Sequence, residues 1–139
     1  MEIEWLILAD SAQVVGNKLY LLGGGWDRIP LNKDVPQHFA IAIAVKVPWD
    51  ETNKRHTFEL EVLSEDQNTE EVKSLAKMGG QFEVGRPVGI PAGRDQRIQL
   101  AIDMGLKIDH PGTKKIVASI EGAVPKELLF DVVPIQKKA

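Results

Sequence analysis

Cysteine is absent from the 139 residues, which excludes disulfides, thiol nucleophiles and cysteine-ligated metals. A basic excess is missing too. Seventeen Lys and Arg stand against 20 Asp and Glu, a net charge of −3. Nucleic-acid binders concentrate positive charge on one face, so no such partner is expected. No long hydrophobic run occurs. The longest, Phe39 to Val45, falls far short of the roughly 20 residues a membrane-spanning helix needs. The opening Met1-Glu2-Ile3-Glu4-Trp5 lacks the basic start and apolar stretch of a secretory signal, so a cytoplasmic chain with no membrane partner is expected. Aromatics are scarce at 6%, yet three of them are tryptophans: Trp5, Trp26 and Trp49. What remains is ordinary. Apolar residues make up 43% and charged residues 27%, the balance of a folded chain rather than a disordered one. The length suits one hydrophobic core, so a single domain over residues 1–139 is expected, with 136–139 a frayed tail.

Several segments alternate with period two, as strands with one buried face do. Phe39, Ile41, Ile43, Val45 and Val47 point one way, and Ala40, Ala42, Ala44 and Lys46 the other. Thr57–Leu63, Arg97–Met104, Lys115–Glu121 and Leu128–Val133 alternate similarly. Turn residues separate them: Gly16-Asn17, Pro48, Asp66-Gln67-Asn68, Pro91-Ala92-Gly93, Pro111-Gly112 and Gly122. Recurring strands with such punctuation predict an all-β sandwich or barrel. Asn68–Met78 fits a short helix capped by Asn68, or a strand paired with Glu59–Leu63; the strand is favoured. Gly85–Gly93, with two prolines and three glycines in nine residues, predicts an extended crossover between sheets.

The first hairpin is the most informative element. A two-residue Gly16-Asn17 turn suits the positive φ angles such turns need. It places Ile7, Ala9, Ser11 and Gln13 on one face with Trp26, Gly24, Leu22 and Tyr20. Leu6, Leu8, Asp10 and Ala12 share the other with Gly25, Gly23, Leu21 and Leu19. Both faces carry large apolar residues, so something must cover the second: the same chain or another protein. Trp5 and Trp26 fall near one end of one face and are expected to meet there. Asp10 lies opposite Gly23, and a carboxylate in an apolar strand needs partners. The backbone N–H groups of Gly23, Gly24 and Gly25 are the expected ones, which makes these four residues structural.

Chemistry-bearing patterns are few. His38, His56 and His110 lie far apart with no metal-ligand spacing. Gly23–Gly25 is no phosphate loop, because no Gly-Lys-Ser/Thr follows it. The loop acids at Asp27, Asp34, Asp50-Glu51, Asp66 and Asp109 show no Asp-x-Asp, so solvated carboxylates are expected rather than calcium ligands. Trp49 precedes Asp50 and Trp26 precedes Asp27, an arrangement that also suits a sugar-stacking rim.

The stretch Ala9-Asp10-Ser11-Ala12-Gln13-Val14-Val15-Gly16-Asn17-Lys18-Leu19-Tyr20-Leu21-Leu22-Gly23-Gly24-Gly25-Trp26 resembles the opening of a bacterial family of small proteins of unknown function. That family begins with Asp-x-Ala-Gln-x-x-Gly-x-Lys-Leu-Tyr-x-x-Gly-Gly-Gly-Trp. Phe82–Gly93, Leu100-Ala101-Ile102, Gly105-Leu106 and Pro111-Gly112 extend the resemblance over most of the chain. Val88 and the segment Asp66–Gly79 depart from the usual pattern. The resemblance implies one immunoglobulin-like antiparallel β-sandwich of seven to nine strands. It implies no activity, cofactor or catalytic residue.

The expectation is a non-enzymatic interaction or assembly module whose partner is a protein, itself or another. Trp5, Ile7, Tyr20, Leu22 and Trp26 are the candidate surface, since aromatic anchors dominate interfaces. The alternative is a carbohydrate-type binder with Asp27, Trp49 and Asp50 as its rim. A hydrolase using Asp10 and Asp27 is the less favoured third reading. No cofactor, metal or catalytic residue is expected.

Overall fold

Nine strands and one short 3-10 turn make up the computed structural model, which describes residues 1–65 and 72–135. The strands are β1 (Glu2–Val15), β2 (Lys18–Gly24), β3 (Arg28–Pro30), β4 (Gln37–Val47), β5 (Arg55–Glu65), β6 (Val72–Glu83), β7 (Gln96–Leu106), β8 (Gly112–Ile120) and β9 (Lys126–Val133). They form two open sheets, ordered β2-β1-β4-β7 and β3-β9-β8-β5-β6. The alternating segments of the sequence lie within these strands, except that Glu121 falls one residue beyond β8. Val72–Met78 is strand, paired with β5, and the helical alternative is not adopted there. The expected cap at Asn68 and the Asp66–Asn68 turn lie outside the described residues. Gly85–Gly93 leaves the second sheet at β6 and crosses to the first at β7 through two successive turns. Ile90 N–H donates to the Pro87 carbonyl and Arg94 N–H to that of Pro91, with Gly89 and Gly93 at φ +95° and +83°. Proline cannot donate to a ladder and glycine takes positive φ freely, so this stretch turns instead of pairing.

The two sheets share one hydrophobic core. Leu6 and Leu8 of β1 and Phe39, Ile41, Ile43 and Val45 of β4 face Leu60 and Val62 of β5, Ile116 of β8, and Phe130 and Val132 of β9. One pairing departs from the antiparallel expectation. β3 runs parallel to β9, with Ile29 opposite Val132. It is three residues long and arrives from the first sheet already travelling in the direction of β9, so no hairpin can join them.

The Gly16-Asn17 turn forms as predicted, with φ +58° and +61°. It pairs Gln13 with Tyr20 and Ser11 with Leu22. The register holds to the last pair, Ala9 with Gly24, and irregularity sets in around it. Gly23 takes φ +60° and Gly25 φ +84°, and Gly25 N–H donates to the Leu8 carbonyl at 2.7 Å. Trp26 is therefore not displayed opposite Ile7. Its ring turns into the core and meets Phe39 and Phe130 edge-on, each at 5.9 Å between centroids. Trp5 pairs with Ala44 on the opposite side of the sheet, so the expected Trp5–Trp26 contact is not made.

The central strand β4 is buried on both faces. Ala40, Ala42 and Ala44, directed away from the core, are 0% exposed, as is Ala9 beside them. The cover comes from the same chain. β1 pairs with β4 only as far as Ala9, and the hairpin continues as an arm. From Ala9 to the turn at Asn17 an extended strand runs about 26 Å. Unbent, it would carry the turn away from the sheet. Instead Gln99 Nε2, on the far strand β7, donates to the Asn17 carbonyl at 2.9 Å. Gln99 pairs with Ala44 and shares its outward side. The arm thus bends back across the outer face of the first sheet, where β1 and β7 touch although β4 separates them in the ladder. Ala12, Val14, Leu19 and Leu21 are half-buried in this arrangement, while Ser11, Gln13, Val15, Tyr20 and Leu22 are exposed. The small alanines of β4 leave the space that the arm fills.

Candidate interaction surface

The bend depends on the residues around Gly23. A side chain there would strike Asp10: its Cβ would overlap Oδ2 and lie 2.7 Å from Cγ. Asp10 is exposed and receives no hydrogen bond from Gly23, Gly24 or Gly25. That corrects the expected role. Gly23 is required for space and positive φ, not as a donor to the carboxylate; Gly24 pairs with Ala9, and Gly25 N–H goes to the Leu8 carbonyl. A Cβ at Gly24 would make only ordinary contact, 3.4 Å from Leu21 Cδ1 and 3.7 Å from Ala9 Cβ. Leu21 of the arm and Ala9 of the sheet thus border the same spot.

The five candidate surface residues divide three ways. Tyr20 and Leu22 stand on the outward face of the arm, 55% and 72% exposed. Val15 joins them at 53%. Trp5 and Ile7 are half-buried on the sheet face that the arm crosses. Trp26 belongs to the interior. Its Nε1 is buried without a hydrogen-bond partner among the described residues.

The proposed ligand rim is not assembled. Trp49 and Asp50 follow the C-terminal end of β4, whereas Asp27 sits by its N-terminal end, where Trp26 meets Phe39 and the Asp27 carbonyl accepts the N–H of Asp131. The intervening strand is about 30 Å long. One face of Trp49 is also occupied. The Arg86 guanidinium stacks 4.1 Å from the ring centroid, donates from Nη2 to the Trp49 carbonyl at 2.9 Å, and from Nε to Thr52 Oγ1 at 2.7 Å. This clamp ties the crossover to the 3-10 turn Trp49–Glu51. Asp10 and Asp27 likewise belong to different sheets, one on β1 and the other beside β9.

Other polar residues emerge only from the fold. His56 is buried against Phe82, and its Nε2 bonds the Glu51 carbonyl at 2.7 Å, which requires the proton on Nε2. It borders an open cleft of about 360 Å³ that also touches Glu51, Lys54, Arg55 and Glu121. Lys114 is 2% exposed and donates to Ser64 Oγ at 2.9 Å. The alternation of β8, extended back two residues from Ile116, already directs it inward. Among the described residues no three His, Asp or Glu side chains group as metal ligands.

Glu4 occupies a bulge in β1, between Ile3 and Trp5. Its carbonyl accepts Lys126 Nζ from the second sheet at 2.9 Å. Its carboxylate accepts both Nε and Nη2 of Arg97, each at 2.8 Å. Those hydrogen bonds, and the nearby charges of Arg97 and Lys46, hold the Glu4 carboxyl below its ordinary value of 4.5 against the opposing effect of burial. A lowered carboxyl contributes stability above the unfolded value and loses it as pH falls through the folded one. Arg97→Gln should therefore reduce stability modestly at pH 7 and have no effect once Glu4 is protonated. Denaturant unfolding at pH 7, 5 and 3 checks this; an equal loss at all three values would assign the effect to packing.

These features define a two-sheet all-β protein with a folded-back hairpin arm whose outer side exposes Val15, Tyr20 and Leu22 among polar residues. Residues 4–133 match a family of unknown function (DUF6941), and the chain belongs to that family. No curated protein matches it. Among the described residues no helix is long and apolar enough to cross a membrane.

Proposed function

We propose that this protein is a non-enzymatic protein-interaction module on an immunoglobulin-like frame, with the outward face of the arm as its contact surface. The strand order supports the frame. With β2 and β3 set aside, the remaining strands in chain order take the places A, B, C, C′, E, F and G. They then give sheets A-B-E and G-F-C-C′, a sandwich arrangement of the immunoglobulin type. Function on such frames resides in what is grafted onto them. The graft here is the arm.

The observation that carries the reading is the exposure of Val15, Tyr20 and Leu22 side by side on an arm whose other face is used for packing. Ser11, Gln13 and Lys18 surround them. An apolar patch with an aromatic member and a polar rim is the usual form of a docking site. A photo-crosslinking residue placed at Tyr20 or Leu22 should yield a discrete adduct in lysate of the native host. The same residue at Val124, equally open at 84% exposure, should not. The Tyr20→Ser, Leu22→Ser double variant should lose the partner and keep its unfolding midpoint. Adducts of equal yield from Val124 would remove the arm from consideration.

A further inference from the structure

We propose that the partner of the arm is a second copy of this chain, joined by antiparallel pairing of β2 with β2 about a two-fold axis at Tyr20. The inference rests on the arm being the contact surface and adds the partner and the geometry.

Edge strands expose unpaired N–H and C=O groups, and proteins usually protect them with charge, proline or shortness. The four edges here differ in that respect. β3 has three residues and ends in Pro30. β6 carries Lys73 and Lys77, and β7 carries Arg97, Gln99 and Asp103. β2 has only Lys18 at its start, followed by Leu19, Tyr20, Leu21 and Leu22. Among the described residues it pairs with β1 alone.

The register follows from the turn. In a two-residue hairpin the residues flanking the turn, Val15 and Lys18, exchange hydrogen bonds. Tyr20 and Leu22 then do the same with Gln13 and Ser11, which directs the N–H and C=O of Leu19 and Leu21 away from β1. A two-fold centred on Tyr20 sets Leu19 opposite the partner's Leu21 and Leu21 opposite the partner's Leu19. Four backbone hydrogen bonds satisfy all the outward groups of these residues. Tyr20 meets its copy as a non-hydrogen-bonded pair, the closer of the two cross-strand spacings. Lys18 falls opposite the partner's Leu22, so its stem covers an exposed apolar side chain and the two like charges lie at opposite ends of the pair. The tyrosines and leucines of both copies merge into one apolar strip. Gly23, in the left-handed region, ends the pairing at the proper place. One short strand per copy is a small interface, so the dimer should populate at roughly 10–100 μM rather than at nanomolar concentration.

The absence of cysteine makes the test direct. Tyr20→Cys should oxidise to a linked dimer about tenfold faster than Lys18→Cys or Leu22→Cys alone, because only position 20 opposes itself. Mixing the Lys18→Cys and Leu22→Cys chains should give the heterodimer in preference to either homodimer. Sedimentation of the wild-type chain should show mass rising with concentration, and Tyr20→Glu, which sets two carboxylates face to face, should abolish the rise. A wild-type chain that stays monomeric while position 20 links no faster than 22 overturns self-pairing. A dimer whose crosslinks favour another position overturns the β2 geometry. In either case an adduct of different mass at Tyr20 in lysate would leave the interaction reading standing with another partner, and loss of that adduct as well would end both.

Discussion

Phe130→Ala is expected to cost about 3–5 kcal/mol, enough to threaten the fold of a domain of this size. Phe130 is 1% exposed and lies between Trp26 and Phe39, tilted 59° to the latter at 5.9 Å. Removing the ring takes away its transfer free energy and leaves a cavity that three rigid elements cannot close. It also removes one wall of the Trp26 site. Tryptophan emission should shift to the red together with a fall of roughly 10–20 °C in unfolding midpoint. The comparison is Leu22→Ala, where 72% exposure predicts a change within about 0.5 kcal/mol. Equal costs at the two positions would contradict the assignment of core and surface.

Gly23→Val should destabilise by about 2–4 kcal/mol and release the arm. Two effects combine. A β-branched residue at φ +60° is strained, and its Cβ must displace the Asp10 carboxyl. They separate experimentally, because Asp10→Ala removes the collision and leaves the backbone cost. The double variant should therefore recover part of the loss, and a double-mutant cycle measures that part. Hydrogen exchange should rise across Ser11–Leu22 and in the underlying strand β4, whose Ala42 loses its cover. Additive single effects would show that Asp10 and Gly23 do not meet.

Much of the candidate surface was legible because it is local. Tyr20 and Leu22 share a face through strict alternation, and the Gly16-Asn17 turn sets their partners one by one. Trp26 departs from its expected face because alternation ends at Gly23 and Gly25, whose φ angles are positive. Three adjacent glycines offer Asp10 backbone donors in sequence, yet Gly24 pairs with Ala9 and Gly25 N–H bonds Leu8 instead. The ligand rim failed for a different reason. Trp49-Asp50 and Asp27 resemble each other in sequence, but the length of β4 holds them apart. The Arg86 clamp on Trp49 joins residues 37 positions apart, and nothing local announces it.

Most of the strands, the register of the first hairpin and the apolar character of both its faces can be read directly from the chain. Those properties depend on side-chain alternation and on one two-residue turn, both short-range. What covers the second face is visible only once the chain is folded. A bend at Gly23 folds the arm over the alanines of β4, and a hydrogen bond from Gln99 to Asn17 closes it across 82 positions of chain. Periodicity reports that a face must be buried, whereas its occupant is chosen by long-range packing. That choice leaves Tyr20 and Leu22 exposed on the outside of the arm.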